Sequence, residues 1–390
     1  MGKVRVLYLI GKIFHISGGT ERHVSQLISS LEQARFEPHL AVLEHTAWLE
    51  TEYFPCPRYS LDGKAVSRAF LLPKIFDLMG YIHRHDIHIV ETYFPNAHFV
   101  GAIAGRTTGR IVVSSRRDLG YWHTRKTLWM ARFANRCVTR FLANSKAVAQ
   151  SNSQIEGVEL ARFTTICNGI DIAKLHVAEE ATRRIRDSLG IATDQKIVGL
   201  VANFRAVKDV KGFIRACGMV SRLCDKARFI VIGHGQERVV AEIRRLVDEL
   251  DLGGKMMFLG LLENPMPYMK AFDVGVLSSL SEGFSNVLLE YGALGVPAVA
   301  TDVGGNVEIV QNGKTGLLVP PGDPGKLCEA VVDLLRNETL RAELGRNAHE
   351  YVSSQFSLKR QVRSYEELYT NLYHKAGDGR LQDRRSHAVQ

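Results

Sequence analysis

Short apolar, β-branched runs alternate with amphipathic stretches along the whole chain. In the first half the runs are Val4–Ile10, Glu37–Leu43, Ile87–Tyr93, Ile111–Ser115 and Val138–Ala143. In the second they are Lys196–Asn203, Ala227–Gly233, Met256–Gly260, Asp273–Ser278 and Val296–Thr301. A strand buried on both sides has no polar face to alternate with. Near-continuous apolar strands separated by helices therefore predict parallel sheets covered on both faces. Two such sets predict an α/β protein of two Rossmann-like, doubly wound domains. The turn signal Asn168-Gly-Ile-Asp171 closes the first set, and the charged stretch Lys174–Asp194 opens the second. The domains are placed at 1–173 and 174–356. A final amphipathic helix is expected over 357–375 and a disordered polar tail over 376–390.

Ligands of doubly wound sheets bind outside the carboxyl ends of the strands. The stretch Ser281–Glu290, Ser-Glu-Gly-Phe-Ser-Asn-Val-Leu-Leu-Glu, follows such a strand and opens an apolar helix. Ser285 or Asn286 is a natural N-cap. The N–H groups of Asn286, Val287 and Leu288 then lack helical acceptors and form an anion site from backbone alone. Gly283, beside Phe284, has no Cβ and admits a close ligand. Carboxylates repel phosphate, so Glu282 and Glu290 are better suited to accept hydrogen bonds from hydroxyls. A phosphate flanked by two sets of vicinal hydroxyls, as in a nucleotide-sugar, fits this arrangement. After the first strand, Gly18 and Gly19 open a helix and allow backbone to meet a diphosphate.

Seven residues lie between Glu282 and Glu290, as in the E-x7-E signature of glycosyltransferase family 4, retaining enzymes of the GT-B architecture. The resemblance continues through Gly295-Val-Pro297, Ala300-Thr-Asp302, Gly304-Gly305, Glu308-Ile-Val310, Asn312-Gly313, Gly316 and Val319-Pro-Pro-Gly-Asp323. It covers nearly the whole chain and implies GT-B: two domains with a central cleft, acceptor on the first and nucleotide-sugar donor on the second. It also implies that the last helix crosses back to the first domain. By the same resemblance Arg205 and Lys208 are the basic pair that holds the donor diphosphate, with Lys211 a competing assignment. Gly18-Gly19 resembles the family's N-terminal glycine loop, and Gly233-His-Gly235 its turn under the nucleotide. Leu261 supplies backbone contacts to the base. Glu282 then holds sugar hydroxyls and Glu290 the ribose. One departure matters. Many members carry a histidine before an aspartate after the fourth strand, and here Arg117 precedes Asp118. Arg116 and Arg117 are read as contacts to an anionic acceptor or phosphate, against an alternative of ion pairing with Asp118.

Composition narrows this reading. The chain has 390 residues and a net charge of +9. Residues 1–171 carry 21 Lys and Arg against 14 Asp and Glu, so most of the basic excess sits in the first half. No nucleic-acid motif accompanies it, and an anionic membrane surface or anionic acceptor is the remaining use. A helical wheel over Tyr121–Phe141 gathers Arg125, Arg132, Arg136 and Arg140 beside Trp122, Trp129 and Phe133. That face suits an anionic interface, but a helix in this place is expected to bury its aromatic side on the sheet. Six scattered cysteines without C-x-x-C spacing suggest neither zinc nor disulfides and point to the cytoplasm. The N-terminus reads as a first strand rather than a signal peptide, and no run is long enough for a transmembrane helix. The sequence lacks Asp-x-Asp, so no metal and no cofactor are expected. The reading is a cytoplasmic retaining glycosyltransferase. It moves a sugar from a nucleotide diphosphate-sugar to a hydroxyl of a glycan or lipid-linked acceptor, in cell-surface polysaccharide or glycolipid synthesis, with peripheral contact to the inner face of the membrane. The alternatives are a catalytically silent scaffold of the same fold and a nicotinamide-dependent oxidoreductase. For the latter, the glycine fingerprint and its ribose carboxylate are missing after strand one, and the Gly233-x-Gly235 turn is no full G-x-G-x-x-G because residue 238 is arginine.

Overall fold

The computed structural model describes residues 2–13, 18–47, 49, 54–61, 71–121, 123–175 and 177–387, with 378–387 as backbone only. Trp122 lies outside the described residues. The chain divides into two compact units, Met1–Asn168 with Lys359–Gln390, and Gly169–Leu358. The turn and charge signals in the sequence placed this boundary at 173/174.

Unit 1 runs β1 (Val4–Ile10), α1 (Gly19–Ser30), β2 (Phe36–Val42), β3 (Arg58–Ser60), α2 (Leu71–Arg84), β4 (Ile89–Tyr93), α3 (Pro95–Thr107), β5 (Ile111–Arg116), α4 (Arg125–Asn135), β6 (Arg140–Ala143), α5 (Lys146–Glu156) and β7 (Phe163–Thr165). All pairings are parallel, in the order β3-β2-β1-β4-β5-β6-β7. β1 and β4 are buried almost throughout, which is why both read as unbroken apolar runs.

Unit 2 runs α6 (Glu179–Ser188), β8 (Lys196–Val201), α7 (Val210–Leu223), β9 (Ala227–Ile232), α8 (Glu237–Glu249), β10 (Met256–Gly260), α9 (Met266–Lys270), β11 (Val274–Leu277), α10 (Asn286–Ala293), β12 (Ala298–Thr301), α11 (Asn306–Ile309), β13 (Gly316–Val319), α12 (Pro324–Arg336) and α13 (Glu338–Gln355). Its sheet is parallel in the order β10-β9-β8-β11-β12-β13. Glycines set its close approaches. A Cβ on Gly199 in β8 would stand 2.0 Å from the Phe272 ring, so the strand and the turn before β11 meet only because none is there.

The last helix, α14 (Leu358–His387), belongs to unit 1 from Lys359 on. Where the sequence suggested a disordered tail over 376–390, the backbone stays helical to His387. Two further expectations are corrected. Arg140 is not on the helix of Arg132, because α4 ends at Asn135 and Arg140 opens β6. The aromatic side of α4 is not buried: Trp129 is 69% and Phe133 44% exposed. The buried side is built from Ala131, Ala134 and Asn135.

Candidate active site

In unit 2 the chain order reverses between β8 and β11, so their following loops part and leave room for a ligand. The loop after β8 carries Arg205 and Lys208, and the loop after β11 carries Glu282. Leu280 N donates to Val207 O at 2.8 Å, and Ser278 Oγ to the carbonyls of Lys208 and Asp209 at 3.0 and 3.1 Å. These bonds lock the two loops together. Lys208 Nζ reaches Glu282 Oε1 at 2.5 Å, and Ser279 Oγ donates to the same oxygen at 2.6 Å. Glu282 is 8% exposed, so its charge is held out of bulk water by two specific donors. Ser279 was not singled out in the sequence; its only signal is a hydroxyl three residues before the carboxylate.

Lys211, the competing assignment, stands on the first turn of α7 rather than in the loop itself. It pairs with Glu242 on α8 at 2.6 Å. Its helix α7 starts because Asp209, at φ 44°, accepts from Gly212 N at 3.0 Å. Arg205 lies before this cap in an exposed position.

Ser285 is the N-cap of α10, and its Oγ accepts from Leu288 N at 3.4 Å. Leu288 N–H is therefore spent within the cap rather than offered outward. Asn286 and Val287 occupy the first turn, where N–H groups have no intrahelical acceptor. Glu290 sits one turn in and is 4% exposed; Gly283 and Phe284 are buried at the entry. Gly233 and Gly235 have a packing cause. At φ 136°, a Cβ on Gly233 would come 1.9 Å from Ala202 O, and one on Gly235 would meet Phe204 Cβ at 2.5 Å. The turn after β9 thus lies directly on the loop that bears Arg205. Leu261, just past Gly260, is 58% exposed.

In unit 1, Gly18 caps α1 at the end of the loop after β1, and Gly19 begins the helix. A pocket at the carboxyl ends of β4 and β5 is lined by Asn96, Arg116, Arg117, Asp118, His123 and Glu156, among others. Arg116 is not available to a ligand as expected, nor is Asp118 its partner. Its guanidinium is buried on Glu156, with bonds of 2.7 and 2.8 Å, and also reaches Ser114 and Asn135. Burial pushes Glu156 up, but Arg116 and the surrounding donors outweigh it and hold the carboxyl well below the usual range. Burial and then Arg116 push His98 down to about 3, so that imidazole is neutral. Arg117 bonds Asn168 Oδ1 at 2.6 Å and the Tyr365 hydroxyl. Asp118 accepts from Gly120 N at 2.8 Å. Arg117 and Asp118 remain at the pocket; Arg116 is its foundation.

Two doubly wound units, with a lysine–carboxylate pair at the switch point of the second, make up a GT-B architecture. Residues 181–351 match the profile of Glycosyl transferases group 1. Residues 17–174 match that of Glycosyltransferase Family 4, and the chain belongs to that family. It is 32% identical over 217 residues to the N-acetyl-alpha-D-glucosaminyl L-malate synthase of Bacillus anthracis, 56% of each chain. It is 24% identical over 325 residues to the capsular polysaccharide biosynthesis glycosyltransferase CapM of Staphylococcus aureus, 79% of this chain and 83% of that one. Anabaena HepE, solved with UDP, shares the fold: TM-score 0.84 at 22% identity, over 94% of this chain and 100% of that one. Among the described residues no helix is long and apolar enough to cross a membrane, and all six cysteines are free.

Proposed function

We propose that this glycosyltransferase moves a sugar from a nucleotide diphosphate-sugar to a hydroxyl of a glycan or lipid-linked acceptor, with retention at the anomeric carbon. The Lys208–Glu282 pair at the unit 2 switch point carries the reading. In it a cation suited to a departing diphosphate and a carboxylate suited to sugar hydroxyls meet at 2.5 Å. Arg205 adds a fork of donors for phosphate oxygens, and the first turn of α10 adds N–H groups. Glu290 takes the ribose. Leaving-group charge is met by these groups without a metal. HepE, solved with UDP and with UDP-glucose, supports the donor class. CapM supports a place in cell-surface polysaccharide synthesis.

Free cysteines suit the reducing cytoplasmic side. The protein works there, in reversible contact with an anionic membrane. A transfer assay over uridine, guanosine and adenosine diphosphate-sugars, run in excess chelator, tests the reading. Turnover of one donor with retention is expected. Abolition by chelator with rescue by magnesium or manganese overturns the metal-free site. Binding of no nucleotide in the panel overturns the donor class, and binding without turnover favours the silent scaffold.

A further inference from the structure

At 100° per residue, Arg125, Lys126, Trp129, Arg132, Phe133 and Arg136 fall within an arc of about 120° on α4 and its C-cap. All six are exposed. Trp129 and Phe133 stack in solvent, with ring centroids 6.1 Å apart and planes 17° apart. Holding that much aromatic surface in water is costly unless something covers it. Among the described residues no carboxylate lies within 4.0 Å of Arg125, Lys126, Arg132 or Arg136.

At the C-terminal end of α4 a pocket is lined by Arg132, Arg136 and Arg162, and by Glu156 as well. The Glu156 charge is already taken by Arg116. Arg132 donates to Ile155 O at 3.0 Å. Arg162 donates to the carbonyls of Asn135 and Val138 and lies over the Phe141 ring at 5.1 Å. A guanidinium has five N–H donors, so each keeps donors beyond these. Carbonyl capping accounts for Arg132 and Arg162. It accounts neither for Arg125, Lys126 and Arg136 nor for a stacked tryptophan facing water.

We propose that α4 docks on an anionic bilayer, with Trp129 and Phe133 in the headgroup interface and a phospholipid phosphate between Arg132, Arg136 and Arg162. The charge is complementary, and Trp beside Arg is the pairing that suits a surface wet at one level and apolar just below. This rests on the membrane contact put forward above, and not on the transfer reaction.

The test is sedimentation of the full chain with phosphatidylcholine vesicles, with and without a minority of phosphatidylglycerol. The wild type is expected to bind the anionic vesicles only, and to leave them as salt rises. A basic residue near such a surface is worth about 1 kcal/mol, roughly fivefold in affinity. Arg132→Glu/Arg136→Glu should therefore lose well over tenfold, and Trp129→Ala/Phe133→Ala should bind more weakly at every salt concentration. Arg183→Glu/Arg244→Glu, an equal charge change at exposed positions of unit 2, should bind as wild type. If the wild type ignores anionic vesicles at low salt, the membrane contact itself fails. If it binds and both unit 1 variants bind equally well, the contact stands and this surface is wrong. Arginine-dependent binding of an oligonucleotide or of inorganic phosphate, without vesicle binding, also overturns it.

Discussion

Lys208 and Glu282 are each other's counter-charge, so a ligand that engages both must part or share the pair. Glu282→Gln keeps the size and one acceptor but removes the charge. Turnover should fall while a nucleoside diphosphate, which has no sugar to lose, binds as before. In the proposed reaction Arg205 faces charge that grows on the leaving group, and loss of one such donor typically costs on the order of 100- to 1000-fold in kcat. Arg205→Ala should act on kcat more than on KM. The double variant should fall short of additivity, because both residues serve one transition state. Steady-state kinetics with calorimetric binding of the diphosphate checks this, and near wild-type transfer by both single variants would show the assignment to be wrong. Glu290→Ala should instead raise the donor KM with little change in kcat, because ribose contacts exist in both ground and transition states. An unchanged KM with a large fall in kcat would contradict that role.

The pairing of β4 with α14 creates a titrating device in the core of unit 1. Glu91 is wholly buried; burial raises its carboxyl to about 7, against the lowering effect of hydroxyls from Tyr369 and Tyr93. The native state thus holds a proton that the unfolded chain, with an ordinary value of 4.5, releases first. Stability is full below the ordinary value and falls as pH rises through about 7, by on the order of 3 kcal/mol. Glu91→Gln should flatten Tm between about pH 5 and 8, and an unchanged slope in that variant would contradict the origin. None of this was legible in sequence, since Glu91 and Tyr369 are 278 positions apart. The long strands were legible because burial on both faces leaves unbroken apolar runs. β3, β7 and β13 were not, being three or four residues long at or near the sheet edges. The glutamate and arginine of the site stood out through motif spacing. Arg116 was misread because its partner Glu156 lies 40 positions on. α4 was misoriented because a wheel weights aromatics, whereas its packed side is alanine, which lets the helix lie close.

At the scale of the molecule, unit 1 is closed by chain from the far end of the sequence. Tyr365 and Tyr369 on α14 are 1% and 0% exposed. Gln361 and Tyr365 each bond a ring nitrogen of buried His23 at 3.1 Å, and Tyr369 bonds Glu91. Removing 359–390 would strip two core aromatics and leave His23 and Glu91 without these partners. Truncating one large core aromatic typically costs about 3–5 kcal/mol, against a domain stability of roughly 5–15. Unit 2 ends at Leu358 and keeps its own closure, Leu358 N donating to Ile170 O at 2.9 Å. A chain stopped at Leu358 should therefore lose the cooperative unfolding of unit 1 and keep that of unit 2. Calorimetry would show one transition instead of two. Limited proteolysis would cut within residues 1–168 while sparing 169–358. Diphosphate binding would survive only in so far as unit 2 alone supplies the donor contacts. Two transitions at wild-type temperatures would mean that α14 lies on unit 1 without holding it together.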